Sequence, residues 1–279
     1  ELREHFLFVK QERAHAAAKR LLAIENPTEV LSMAMDGTDQ LPKGLPQFRT
    51  ETAAEAKYSE RLKIKFTVVK IHGLETVVYD HLANVAGGPN LQIEVTQRAL
   101  KRAEIHLGRL PNTLYLQLDY CWRENKNSYL LNWLATLTER GLFTGGIHIS
   151  YLPIGHTHNE CDQVASRLSV AVRRKTITTR ARLRDVIRHT MRNVHLETIR
   201  YVADNKEFLN PGQKDSWTNS KFNRINHVSK HRYYRIQHTI QGHIELRTRK
   251  EATSDFWSLH KLLRKKPLEP TGLTYEYLA

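Results

Sequence analysis

Leu114-Tyr115-Leu116-Gln117-Leu118-Asp119 alternates leucine with other residues until a carboxylate closes the run. A period of two marks a half-buried strand, and Tyr120-Cys121-Trp122-Arg123-Glu124-Asn125-Lys126-Asn127 after it has the composition of a loop. Asp119 is therefore expected where a strand opens into a loop. Asp36 is placed in the same way, after Val30-Leu31-Ser32-Met33-Ala34-Met35. Asp162 follows Gly155-His156-Thr157-His158-Asn159-Glu160-Cys161 at the start of a helical stretch. Two carboxylates at strand ends and a third at a helix start point to a divalent-metal site, since Mg²⁺ and Mn²⁺ prefer hard oxygen ligands.

The rest of the chain is ordered around these acids. Residues 1–24 have helical apolar spacing (Phe6, Val9, Ala14, Ala17, Leu21, Leu22), stopped by Asn26-Pro27. Leu62 to Lys70 alternates, and His72-Gly73 turns it into Glu75 to Asp80, a hairpin. Gly87-Gly88-Pro89-Asn90 opens a helix over Leu91–Leu107. After the Asp119 strand, Leu130, Leu131, Trp133, Leu134 and Leu137 form the apolar face of a helix that Gly141 stops. Gly146 to Leu152 is the next strand, and a helix starts near Thr157. Short loops in the later half favour parallel crossovers.

Charge divides the chain unevenly. Of the net +14, residues 171–279 hold 23 Lys and Arg against 10 Asp and Glu, or +13. A one-sided surplus of this size is the footprint of a polyanion partner, most simply double-stranded DNA. No apolar run approaches the roughly 18 residues that span a bilayer, so a membrane partner is not expected. Two cysteines, Cys121 and Cys161, cannot build a disulfide framework, which suggests a nuclear or cytoplasmic rather than secreted protein. The chain begins at Glu1 without a methionine and reads as a piece of something longer. Oligomerisation is left open.

The order of elements, with an acid after the first strand, an acid after the fourth and an acid on the last helix, resembles the ribonuclease H-like fold of transposases, retroviral integrases and related nucleases. In that fold the first and fourth strands are neighbours. More narrowly, Met35-Asp36-Gly37-Thr38-Asp39-Gln40, Leu118-Asp119-Tyr120-Cys121 with Glu124-Asn125-Lys126-Asn127, and Gly155-His156-Thr157-His158 with Asp162 resemble the motif blocks of an uncharacterised, transposon-associated family of eukaryotic proteins. The resemblance implies an α/β fold with a mixed five-stranded sheet flanked by helices over residues 28–175. An N-terminal helix (1–27) would precede it, and a basic C-terminal α+β extension (176–279) would follow and hold nucleic acid. It further implies a DNA nuclease or strand transferase in which Asp36, Asp119 and Asp162 hold two Mg²⁺ or Mn²⁺ ions. Two such ions about 3.5–4 Å apart activate the nucleophile and stabilise the leaving oxygen. A catalytically inactive, transposon-derived nucleic-acid-binding protein is the alternative.

Several residues have two readings. Glu160 and Asp162 flank an apolar helical stripe on opposite sides, so only one of them faces the metals; Asp162 is preferred and Glu160 is its rival. His156 and His158 suit the surroundings of the metals or a phosphate contact. A zinc or dinuclear metallophosphoesterase reading of that pair lacks the upstream Asp-x-His, Gly-Asp and Gly-Asn-His blocks. Asp39 either caps a turn or contacts metal or substrate. Lys126 is close enough in sequence to Asp119 to meet a phosphate, and Asn125 or Asn127 would cap the following helix. Arg180, Arg184, Arg188 and Arg192 recur every four residues beside an apolar stripe and are candidate DNA contacts. His231 to Arg249 reads as a hairpin around Gln241-Gly242 with Tyr233, Arg235, Arg247 and Arg249 on one face, suited to backbone contact and base stacking. His238, on the apolar face, departs from this pattern.

Overall fold

Thr113, Tyr115 and Gln117 are half-buried while Leu114, Leu116 and Leu118 are fully buried, so the alternation that marks this strand in sequence is also its burial pattern. The computed structural model describes residues 2–38, 44–50, 60–85, 87–121, 124–153, 159–173, 175–202, 230–255 and 257–261. Along the chain the elements are α1 (Leu2–Glu25), β1 (Val30–Thr38), β2 (Ile64–Ile71), β3 (Glu75–Leu82), α2 (Pro89–Leu107), β4 (Thr113–Leu118), α3 (Ser128–Glu139), β5 (Gly146–Tyr151), α4 (Glu160–Arg173), α5 (Arg180–Thr190), β6 (Val194–Ile199), β7 (Tyr233–His238), β8 (Ile244–Arg249) and β9 (Ser258–Lys261).

The fold is mixed α/β, and the strand order is β6-β3-β2-β1-β4-β5-β7-β8-β9. Among the described residues the sheet therefore has nine strands, not the five expected. The reason is local: β3 and β5 each leave one ladder edge unpaired, and such edges recruit further strands. β6 pairs with β3 in parallel, Val78 opposite Leu196, and β7 pairs antiparallel with β5, Ile147 opposite Ile236. At the β5–β7 junction Gly146 has φ +94°, and a Cβ there would lie 2.7 Å from the Ile236 carbonyl oxygen, so only glycine lets β7 approach.

The chain forms two compact units. The first comprises residues 1–33, 87–157 and 203–279 and contains α1, α2, β4, α3, β5, β7, β8, β9 and the start of β1. In it β4 and β5 run parallel, Leu116 opposite Ile149. Here α3 is buried nearly all round, with Leu130, Leu131, Trp133, Leu134 and Leu137 inside, because it contacts both α2 and the strands. The β7–β8 hairpin forms about Gln241-Gly242, with Arg235 opposite Arg247 and Tyr233 opposite Arg249. His238 finds its place in this packing: its Nε2 lies 2.7 Å from the Thr138 carbonyl in the last turn of α3, which also accepts the Gly141 N–H at 2.9 Å.

The second unit, residues 34–86 and 158–202, contains the remainder of β1 with β2, β3, α4, α5 and β6. β2 and β3 form the antiparallel hairpin anticipated around His72-Gly73, Val68 opposite Val78. Phe66, Val68, Leu168, Val172, Leu183 and Ile187 fill its core, so α4 and α5 close the same apolar face. Gln47 ties the loop after β1 to these helices, bonding the Val172 carbonyl through its side chain and exchanging backbone bonds with Ile177.

Candidate active site

β4 delivers Asp119 immediately beyond its last residue, Leu118. Asp119 Oδ1 accepts the Cys121 backbone N–H at 3.3 Å and the side-chain amide of Asn125. Asn125 is itself fixed, because it is buried and its backbone carbonyl accepts the Tyr151 hydroxyl at 2.9 Å. Asn127 is the residue that caps α3, taking the Leu130 N–H at 3.0 Å. The two asparagines thus divide the work, one starting a helix and one orienting a carboxylate. Between them, the Lys126 side chain is buried, with Nζ 3.4 Å from the centre of the Tyr120 ring and 5.3 Å from that of Tyr151. Burial, with the charge of Arg232 adding, lowers its ammonium to about 7. Tyr151 is held well above the ordinary phenol range by burial, reinforced by Tyr234 and Asp119.

Asp36 and Asp162 belong to the second unit. β1 runs on through Gly37 to Thr38, so Asp36 sits two residues before the end of its strand. The N-terminus of α4 is pinned to this strand by Cys161, whose Sγ donates to the Ala34 carbonyl at 3.3 Å. Cys161 is buried, and its thiol is pushed far above its ordinary range, by burial first and then by the charges of Asp36 and Asp162. Both acids therefore flank the same thiol. Glu160 is turned elsewhere, 3.5 Å from Nε2 of buried His72 in the β2–β3 turn. Asp162 also closes its own helix: Oδ2 accepts the Asn159 N–H at 2.8 Å, while Asn159 Oδ1 accepts the Cys161 N–H at 2.7 Å. This pair is a variant of the capping box, with aspartate in the third helical position and the Asn159 side chain taking the N–H of the second position rather than the third.

The arginine series on α5 splits in two. Asp80 on β3 is fully buried, and Arg180 donates to its Oδ2 at 2.7 Å while Arg184 lies 3.4 Å from Oδ1. Thr198 on β6 adds a bond to Oδ1 at 2.8 Å. Arg180 and Arg184 are thus committed to holding α5 and β6 on β3. Arg188 is exposed beside Asp185, and Arg192 is exposed past the helix end. On the hairpin, Arg247 pairs with Glu245 at 2.8 Å, whereas Arg235 and Arg249 turn toward α1.

Asp39, His156 and His158 lie outside the described residues. Among the described residues, no group of three or more His, Cys, Asp or Glu side chains is arranged to hold a metal ion. The donor type nevertheless suits Mg²⁺ or Mn²⁺, since Asp36, Asp119 and Asp162 offer only carboxylate oxygens. No described helix is long and apolar enough to cross a membrane. Asp80 is the anchor that sequence reasoning passed over. Its signal was present: an acid at the end of Val77-Val78-Tyr79, followed a hundred residues later by arginines at helical spacing.

A family model described as Domain of unknown function (DUF7869) matches residues 54–254. No curated protein and no solved structure matches the chain.

Proposed function

The chain belongs to the DUF7869 family, and on its own residues we propose that it is a ribonuclease H-like, transposase- or integrase-type polynucleotidyl transferase or nuclease acting on DNA. The observation that carries this reading is the strand order: β1 and β4 are neighbours, Asp36 is on the first and Asp119 directly follows the second. In the ribonuclease H-like resemblance, those two positions and an acid on a following helix are the metal-holding ones.

In this reading Asp36, Asp119 and Asp162 would hold two Mg²⁺ or Mn²⁺ ions, whose chemistry there would be activation of the attacking water or 3′-hydroxyl and stabilisation of the leaving oxygen. The chain's own contribution is orientation. Asn125 and the Cys121 N–H direct Asp119, and Asn159 directs Asp162. His156, His158 and Asp39 are proposed as neighbours of the metals or of a phosphate. Exposed Arg188 and Arg192 contribute to holding the DNA backbone, and a nuclear or cytoplasmic location follows from such a substrate.

A second reading, a catalytically silent, transposon-derived nucleic-acid-binding protein, is favoured by one observation: the capping box by itself accounts for an acid at position 162. The test is nicking and joining of DNA in Mg²⁺ and Mn²⁺, with Mn²⁺ affinity measured directly on the same preparations. The proposal expects activity that Asp119→Ala abolishes, together with weakened Mn²⁺ binding. Equal activity in Asp119→Ala would overturn it, and DNA binding without cleavage in either metal would establish the silent protein.

A further inference from the structure

Within the first unit, a cavity of about 160 Å³ lies between α1 and the strands β4, β5, β7 and β8. Its wall carries Lys19 and His15 from α1, His148 from β5, Arg235 from β7 and Arg249 from β8. Arg235 and Arg249 each bury an Nε–H that no hydrogen-bond acceptor among the described residues reaches. Buried donors of this kind are almost always matched, so two of them in one cavity wall, unmatched among the described residues, suit an acceptor that a ligand would bring.

The charges around the cavity identify that acceptor. Glu12 is the carboxylate of α1 beside it, and it is already engaged by the Tyr233 hydroxyl at 2.6 Å and the Ala252 N–H at 2.7 Å. Asp255 is the other carboxylate whose field reaches Arg249. Against these stand three fixed cations. Two of them are positioned by aromatic rings: Arg249 lies 4.9 Å from the Tyr233 centroid and 4.6 Å from that of Trp257, and Lys19 lies 4.8 Å from that of Tyr115. The histidines record the same field. Burial lowers His15 to about 4, with Lys19 and Arg249 adding, and His148 to about 3, with Arg235 the next contributor. Both are therefore neutral at pH 7, and each has one N–H to donate.

We propose that this cavity binds a small phosphoryl oxyanion, neutralised by Lys19, Arg235 and Arg249 and hydrogen-bonded by His15 and His148. Arginine supplies the planar, always-charged donors that such oxygens take. Size restricts the ligand. At about 160 Å³ the cavity is close in volume to one that holds benzene, so a phosphoryl group carrying at most a small body suits it. Tyr233 and Tyr234 in its wall are 5% and 1% exposed, so the cavity reaches into the fold, where a small anion fits better than a duplex backbone. Arg235 and Arg249 are thereby assigned to a small molecule rather than to DNA. The inference is independent of the metal-site reading, because none of its three acids lines the cavity.

The test titrates the full chain with sodium phosphate, a 5′-mononucleotide and a short DNA duplex, following tryptophan emission and Tm. Trp257 lines the cavity, so Trp257→Phe should remove the emission change. Phosphate is expected to bind saturably and raise Tm, and Arg235→Gln to weaken it about tenfold or more. Lys19→Met, on a partly exposed helical position, should weaken it similarly and serves if Arg235→Gln does not fold. The mononucleotide, whose nucleoside exceeds the cavity, is expected to bind more weakly than phosphate; tighter binding of the mononucleotide would overturn the assignment to a small phosphoryl oxyanion. Unchanged phosphate affinity in a folded variant, or duplex DNA that displaces phosphate, would overturn it.

Discussion

Asn125 holds Asp119: its side-chain amide donates to Asp119 Oδ1 while its backbone carbonyl accepts the Tyr151 hydroxyl at 2.9 Å. The carboxylate that follows β4 is thus fixed through a residue six positions further along, which is in turn fixed by the last residue of β5. Such a chain rigidifies its members only while every link is made.

Asn125→Ala should therefore destabilise the protein by about 1–3 kcal/mol, because the part-buried Asp119 carboxylate loses the side-chain amide N–H that it accepts, while the Tyr151 bond to the backbone carbonyl is kept. Any DNA cleavage should fall with it. Asn127→Ala, which removes only the α3 cap, should cost about 0.5–2 kcal/mol and leave cleavage per folded molecule intact. Denaturant midpoints and nicking rates on matched preparations separate the two.

Breaking the Asp80 cluster is a test of the arginine series. Asp80→Ala should cost about 3–5 kcal/mol, because it leaves two partly buried guanidinium groups uncompensated. Arg180→Gln and Arg184→Gln should lower stability without changing the salt dependence of DNA binding. Arg188→Gln with Arg192→Gln should flatten the slope of log affinity against log salt by up to about 1.8, at about 0.9 per phosphate contact. A flattening that instead follows Arg180 and Arg184 would show that the cluster opens when DNA binds.

Lys126 should give stability a signature at alkaline pH. Its folded pKa of about 7 lies below the value of about 10.4 in the unfolded chain. Between these values the unfolded state holds a proton that the folded state lacks, so unfolding free energy rises with pH from about 7 to about 10 and is flat on this account below 7. Subtracting the pH profile of Lys126→Met from that of the parent isolates the effect. A difference that falls or stays level across this window would contradict the buried setting of the amine.

The two thiols should behave differently toward alkylating reagents. Cys161 is buried with its thiol kept protonated, whereas Cys121 is part-exposed. Mass spectrometry after brief labelling should find Cys121 modified and Cys161 intact until denaturant is added. Labelling of Cys161 in the native protein would mean that α4 lifts from β1.

The elements that could be read from sequence are those whose burial is one-sided. The Leu114, Leu116, Leu118 alternation, the hairpin about His72-Gly73 and the hairpin about Gln241-Gly242 all survive in the structure, because period and turn chemistry are local. What sequence did not show is which strands meet. β6 has buried positions at Leu196 and Ile199, three apart, which breaks the period of two, and β9 has only four residues. The joining of β7 to β5 depends on Gly146 admitting a carbonyl 90 residues away. In the site, the placing of Asp119 was local, whereas the engagement of Arg180 and Arg184 by Asp80 depends on contacts about 100 residues apart.

β6 and β9 end the strand order on its two sides among the described residues. Both make poor templates for a foreign strand: β6 mixes His195 and Glu197 into six residues, and β9 has four, including His260 and Lys261. A chain trimmed before Ser258 would lose that guard. It would present the six-residue ladder of β8, with Ile244 and Leu246, to any second copy in solution. The short last strand thus works as a stopper against self-assembly, and its removal should appear as aggregation before it appears as unfolding.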